Sequence, residues 1–187
     1  MLRTFPQTRD NSLALRLATI AVFALLTVLS ARLSIEIGTA APITLQTFVI
    51  MLAGLVLGSR DGALSQVAYL TLLAMNLPVD ARGLGMAAFA GPTAGFLIGF
   101  PLLAYTAGLF AERGGNRLWM RWLGGIAGTA VLYLFGAAWL QLTTGMNASA
   151  VWVNAVAPFI VIDSVKAIAA ALLAESGRAA LNYRLGG

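Results

Sequence analysis

Six apolar runs, residues 13–35, 43–57, 63–77, 91–111, 123–142 and 150–174, fill most of the chain and are parted only by short polar breaks. No other feature constrains the fold as strongly. A helix crosses the hydrocarbon core with roughly 20 apolar residues, and in lipid every backbone polar group must find its partner inside the protein. Composition points the same way. Hydrophobic residues make up 59% of the 187 and charged residues 10%, against about 25% charged in an ordinary soluble domain. A soluble domain of this length has too little interior to hide that surface. The expectation is an all-α integral membrane protein of six transmembrane helices, forming one transmembrane domain over residues 1–187.

Two absences remove whole classes of chemistry. The chain has no Cys, which excludes disulfides, thiolate metal sites and thiol nucleophiles. It has no His either, which excludes imidazole ligands and Ser/His/Asp triads. The single lysine, Lys166, stands in Ser164-Val165-Lys166-Ala167 and not in the Gly-Lys-Ser/Thr of a phosphate-binding loop. No enzyme and no metal site is expected, and no ATP hydrolysis by that route. The net charge of +5 comes from arginines scattered among apolar runs, so topology is its reading and nucleic acid is not. The first run is too long for a signal peptide and lacks a small-residue cleavage site.

The breaks carry the topology. Asn11 and Ser12 offer a helix cap, Arg16 can snorkel to the headgroups, and Pro42 suits the first turn of a second helix. Residues 43–57 and 63–77, split by Gly58-Ser59-Arg60-Asp61-Gly62, are each short. Extended to Ala41 and Val79 they read as true spans in preference to a re-entrant hairpin. Arg32 and Glu36, four apart, are expected to form an exposed ion pair. Trp119 and Trp122 mark an interface beside the basic loop 112–121. One side of the membrane would hold Arg3, Arg9, Arg16, Arg60, Arg113, Arg117, Arg121, Arg178 and Arg184, and the other only Arg32 and Arg82. That bias places both termini in the cytoplasm, with residues 1–12 a short cytoplasmic segment and 176–187 a cytoplasmic tail. Small residues four apart (Gly54 and Gly58; Gly91, Gly95 and Gly99; Gly124 and Gly128) let backbones approach closely, chiefly within the bundle.

Asp163 and Lys166 stand out in the last run. Three residues apart, they share a helix face, and counting from Ala150 puts Asp163 near the middle of the span. An ionised group there needs a partner or a watery cavity. Either the two neutralise each other and lock the bundle, or they line a polar cavity for a ligand. The second reading is preferred, because an apolar pair would stabilise as well without the desolvation cost. Thr44, Gln46, Asn76, Asp80, Arg82, Trp152 and Asn154 fall on the same, outer half. Tyr69 and Gln66 are left undecided between the bundle centre and a neighbouring helix.

Ala41-Pro42-Ile43-Thr44-Leu45-Gln46-Thr47 and Leu52-Ala53-Gly54-Leu55-Val56-Leu57-Gly58 resemble the opening of the BioY family. The likeness continues in Gly62-Ala63-Leu64-Ser65-Gln66, Asn76-Leu77-Pro78-Val79 and Gly91-Pro92-Thr93-Ala94-Gly95, and closes with Asp163-x-x-Lys166. One departure is Val79-Asp80-Ala81, where the family more often carries Val-Phe-Ala. The resemblance implies a substrate-binding (S) component of an energy-coupling factor (ECF) transporter, taking up biotin across a bacterial cytoplasmic membrane. Its implied partners are the lipid bilayer, a transmembrane coupling protein and two cytosolic ATPase subunits. It implies no cofactor, biotin being the transported substrate. It also implies that Asp163 and Lys166 bind substrate, with Arg82 beside them, and that Ala14-x-x-x-Ala18 docks on the coupling protein; Asn76 and Gln46 join the candidate substrate-binding residues from their place on the outer half. Biotin's chemistry fits: Asp163 can accept from the ureido N–H groups, Lys166 and Arg82 can meet the carboxylate, and Trp152 or apolar neighbours can cover the ring. The alternatives are another small anionic vitamin, or a biotin transporter working without a dedicated ATPase module.

Overall fold

The computed structural model describes residues 13–185, with side chains through residue 179; the expected cap at Asn11 and Ser12 and the segment 1–12 lie outside the described residues. Helix α1 spans Leu13–Arg32. A short antiparallel hairpin follows, β1 (Ser34–Ile35) pairing with β2 (Ile43–Thr44). Then come α2 (Gln46–Leu57), α3 (Ser59–Ala74), a 3-10 turn at Gly85–Ala90, α4 (Ala94–Gly114), α5 (Leu118–Thr144), α6 (Ala148–Ala155) and α7 (Ala157–Leu185). Among the described residues, four helical stretches are long and apolar enough to cross a membrane: Leu13–Arg32, Ala94–Gly114, Leu118–Thr144 and Ala157–Ala179.

Several sequence boundaries shift, each for a physical reason. The first helix stops at Arg32 and not at Ile35, because Ser34 and Ile35 enter the hairpin. Pro42 therefore precedes a strand and opens no helix. Helix α2 is left with 12 residues, about 18 Å of rise against roughly 30 Å of hydrocarbon. The break expected over residues 58–62 shrinks to Gly58 alone, whose φ of 87° suits a residue without Cβ. Arg121, expected in a basic loop, lies inside α5 and is fully buried, its guanidinium on Glu175 of α7 at 2.8 Å and on the Gly115 carbonyl. The expected polar tail from residue 176 continues α7 as helix.

The last apolar run is two helices. Pro158 has no N–H to give the Asn154 carbonyl, and its ring crowds that position. The chain breaks at Val156, and the freed Asn154 carbonyl accepts from the Ala40 N–H at 3.2 Å. The hairpin loop is thus pinned to α6 by a bond that the proline released.

Small residues let the bundle close. A Cβ on Gly54 would lie 2.2 Å from the Ala104 carbonyl oxygen, and one on Gly108 would lie 2.4 Å from the Ser59 nitrogen. The α2–α3 elbow therefore rests directly on α4. Gly95, Gly99, Gly124 and Gly128 do the same work between α4 and α5. The buried core gathers around Ile50, Met51, Leu55, Tyr69, Leu73, Leu103 and Leu132. At one end of the bundle Arg16 pairs with Asp61 at 2.6 Å, Glu112 accepts from Ser59, and Arg121 meets Glu175. At the opposite end the hairpin, the 3-10 turn and the α6–α7 break surround a cavity.

Candidate binding site

The cavity has about 750 Å³ of free space, open solvent at its mouth included, and is lined by residues from six parts of the chain. Its walls are mainly apolar, with Phe96, Leu97 and Phe100 from α4, Leu132 from α5 and Phe159 from α7. Pro42, Thr44, Gln46 and Thr47 form one side, Tyr133 and Asp163 a polar patch, and Asp80 and Arg82 the rim. An apolar pocket with a few convergent polar groups is the usual form of a small-molecule site.

The polar patch is built around one carboxylate. Asp163, only 3% exposed, accepts from Thr47 at 2.8 Å and from Lys166 at 2.8 Å on Oδ1, and from the Tyr133 hydroxyl at 2.8 Å on Oδ2. A carboxylate offers about four lone-pair sites, so one on Oδ2 is left. The Lys166 ammonium spends its three hydrogens on Asp163, on the Thr47 hydroxyl at 2.9 Å and on the Thr44 carbonyl at 2.7 Å. That last bond satisfies strand backbone where α2 gives way to the hairpin, and so fixes the α2 start against α7. No buried side-chain nitrogen or oxygen lacks a hydrogen bond among the described residues.

The expected site residues fare differently. Asp163, Gln46 and Arg82 line the cavity, and Lys166 stands directly behind Asp163. Asp163 lies in the second turn of α7, about 9 Å from its start, and not at mid-span, because α6 is a separate helix. Gln46 is buried and donates to the Tyr69 hydroxyl at 3.1 Å, which settles Tyr69 as interior; Gln66 is also buried, bonded to Thr27 and Ser65. Asn76 is not brought to the cavity. It ends α3 with φ 62° and its side-chain oxygen accepts from the Met86 N–H, which ties the 3-10 turn to α3. Trp152 is 53% exposed on the outer surface of α6, and the aromatic wall is supplied by Phe96, Phe100 and Phe159 instead. Asp80, the departure from the family pattern, is a buried loop cap accepting from the N–H groups of Arg82 and Gly85.

The expected pair of Arg32 with Glu36 does not form. The helix ends at Arg32, so the four-residue spacing no longer means one face. Arg32 donates to the Pro78 carbonyl, and Glu36 pairs with Arg82 at 2.9 and 3.2 Å. Arg82's donation holds the Glu36 carboxyl below its ordinary range, and the same bond raises Arg82. Two site residues were not singled out from sequence. Thr47 ends the Pro-Ile-Thr-Leu-Gln-Thr segment, which was the available signal; Tyr133 offered only a lone hydroxyl in an apolar run.

Comparison with known proteins agrees with this architecture. The BioY family model matches residues 5–183. The probable biotin transporter BioY of Pyrococcus horikoshii is 41% identical over 157 residues, 83% of this chain and 91% of that one. The biotin transporter BioY of Thermotoga maritima is 38% identical over 154 residues, 82% of this chain and 89% of that one. A crystal structure at 2.1 Å of the S-component for biotin from an ECF-type ABC transporter superposes with a TM-score of 0.83 at 26% identity, covering 92% of this chain and 95% of that one. These are transport components and not enzymes. A family-model match over nearly the full length, with relatives around 40% identical over most of both chains, leaves one conclusion: this chain belongs to the BioY family.

Proposed function

We propose that the chain is the biotin-binding S component of an ECF-type transporter and captures biotin in the cavity around Asp163. The observation that carries this reading is the single open acceptor site on a buried carboxylate, set in an aromatic pocket with a guanidinium at its rim. One ureido N–H takes the free position on Asp163 Oδ2, and the other is within the reach of the Tyr133 oxygen. Phe96, Phe100 and Phe159 pack on the thiophane ring, and Arg82 meets the tail carboxylate. Gln46 keeps a second amide hydrogen for the ureido carbonyl. Lys166 holds Asp163 in place and offsets its charge, so its contribution to the ligand is indirect; Asn76 shapes the rim through Met86. No cofactor or metal takes part. A thermal unfolding series tests the choice of vitamin. Biotin should raise the melting temperature of the detergent-solubilised protein, because a ligand that binds only the folded state stabilises it by mass action. A larger rise with another anionic vitamin would transfer the site to that compound.

We read six spans, with both termini cytoplasmic and the cell membrane as location. The short α2 is completed by the extended hairpin, whose half-buried second strand is tied to α7 by the Thr44–Lys166 bond, so that this backbone carbonyl finds its partner inside the protein. Residues 1–187 then form one transmembrane domain, with 1–12 and 176–187 at the cytoplasmic face. Ala14 and Ala18 are exposed on α1, on the side away from the cavity, where a coupling protein served by two ATPases would dock. The chain has no native Cys, so the orientation is directly readable. A thiol probe should label Asn147→Cys from outside intact cells and leave Asn116→Cys untouched. The reverse pattern would turn the cavity toward the cytoplasm.

A further inference from the structure

We propose that Glu36 is an internal stand-in for the substrate carboxylate, holding Arg82 in the empty protein and yielding it to an anionic ligand. The inference rests on the reading of the cavity as the biotin site and names a residue that sets its preference for a charged tail. Arg82 lines the cavity, yet its guanidinium already faces a carboxylate, with Nε at 2.9 Å and Nη2 at 3.2 Å from the two Glu36 oxygens. That two-pronged fit is the one a ligand carboxylate would seek. A second anion can have this edge of the fork only by displacing the first.

The surroundings make the exchange local. Asp80, the other acid at the rim, is buried and bound to the N–H groups of Arg82 and Gly85. It fixes the Arg82 backbone and leaves the guanidinium to Glu36. Glu36 sits in the loop between β1 and β2, with 56% of its side chain exposed, and Arg82 is 37% exposed. An exposed ion pair of this kind is weak, usually worth well under tenfold. It is weak enough for a ligand anion to displace and strong enough to be felt. A ligand with a neutral tail gains nothing from Arg82 and leaves the Glu36 pair intact. An anionic ligand gains Arg82 but loses the pair, so Glu36 lowers affinity for anions alone.

The test compares biotin with its neutral carboxamide on purified protein in detergent. Glu36→Gln should bind biotin about two- to fivefold more tightly than the parent and the carboxamide with unchanged affinity. Glu36→Ala should behave the same way, which separates loss of charge from any new glutamine contact. In an Arg82→Gln background, Glu36→Gln should change neither ligand. An equal change for both ligands, or weaker biotin binding in Glu36→Gln, would overturn the inference, the latter showing that Glu36 latches the loop over a bound ligand. Absence of biotin binding by the folded parent protein would instead overturn the site reading, and the inference with it.

Discussion

Asp163→Ala should destabilise the protein by about 3–5 kcal/mol, because it leaves an ammonium buried without its counter-charge. Lys166 would keep only the Thr44 carbonyl and the Thr47 hydroxyl. Biotin binding should vanish with the acceptor. Lost binding in an unstable protein proves little, so the informative variant replaces both charges, Asp163→Leu with Lys166→Met. With neither charge left to desolvate, it should recover most of the lost stability, as paired replacement of buried ions commonly does. It should still fail to bind biotin. Asp163→Asn keeps shape and offers a mixed donor and acceptor, and should cost about ten- to a hundredfold in affinity. Thermal unfolding and biotin titration on the same preparations separate the two effects. A paired variant that binds biotin as the parent does would make the ion pair purely architectural.

The second large effect belongs to the opposite end of the bundle. Gly108→Val should cost about 3 kcal/mol or more, at the upper end of what overpacking does. The reason is that the obstruction is backbone on both sides. A Cβ at Gly108 would lie 2.4 Å from the Ser59 nitrogen and 2.5 Å from the Gly58 carbonyl carbon, and neither can rotate away. The α2–α3 elbow would have to lift off α4, stretching or breaking the Ser59–Glu112 bonds that join them. Gly177→Ala is the control. Nothing lies within 4 Å of the added carbon, and alanine is the better helix former by up to about 1 kcal/mol. Comparable melting temperatures for the two variants would show that α4 tolerates separation from the elbow.

Sequence reasoning reached the membrane class, the apolar helices and the Asp163–Lys166 pair because each leaves a local trace. A charged pair three residues apart in an apolar run is visible without coordinates, and so is the arginine bias. The hairpin was not legible. The strands are two residues each, Ser34–Ile35 and Ile43–Thr44, too short for an alternating pattern to show, and what favours extended backbone there is long-range, in the bonds from Lys166 to Thr44 and from Ala40 to Asn154. The same hairpin undid the Arg32–Glu36 pairing, since periodicity predicts partners only while a helix lasts. Of the two candidates for covering the ring, Trp152 or apolar neighbours, the cavity lining offers the second, and Trp152 is exposed on α6. The proline break turns α6 independently of α7, so the two no longer share one facing surface. Tyr133 was invisible because its role is created by α7 and not by its own neighbours. Asp80 was noticed as a departure, but its work as a loop cap depends on two backbone N–H groups that no side-chain pattern reports.

The most direct test of the central claim is an equilibrium titration of the purified, detergent-solubilised chain with radiolabelled biotin. Saturable binding at one biotin per chain is expected, displaced by unlabelled biotin and absent from the folded Asp163→Leu, Lys166→Met variant. A chain that unfolds cooperatively yet shows no saturable biotin binding would contradict the account.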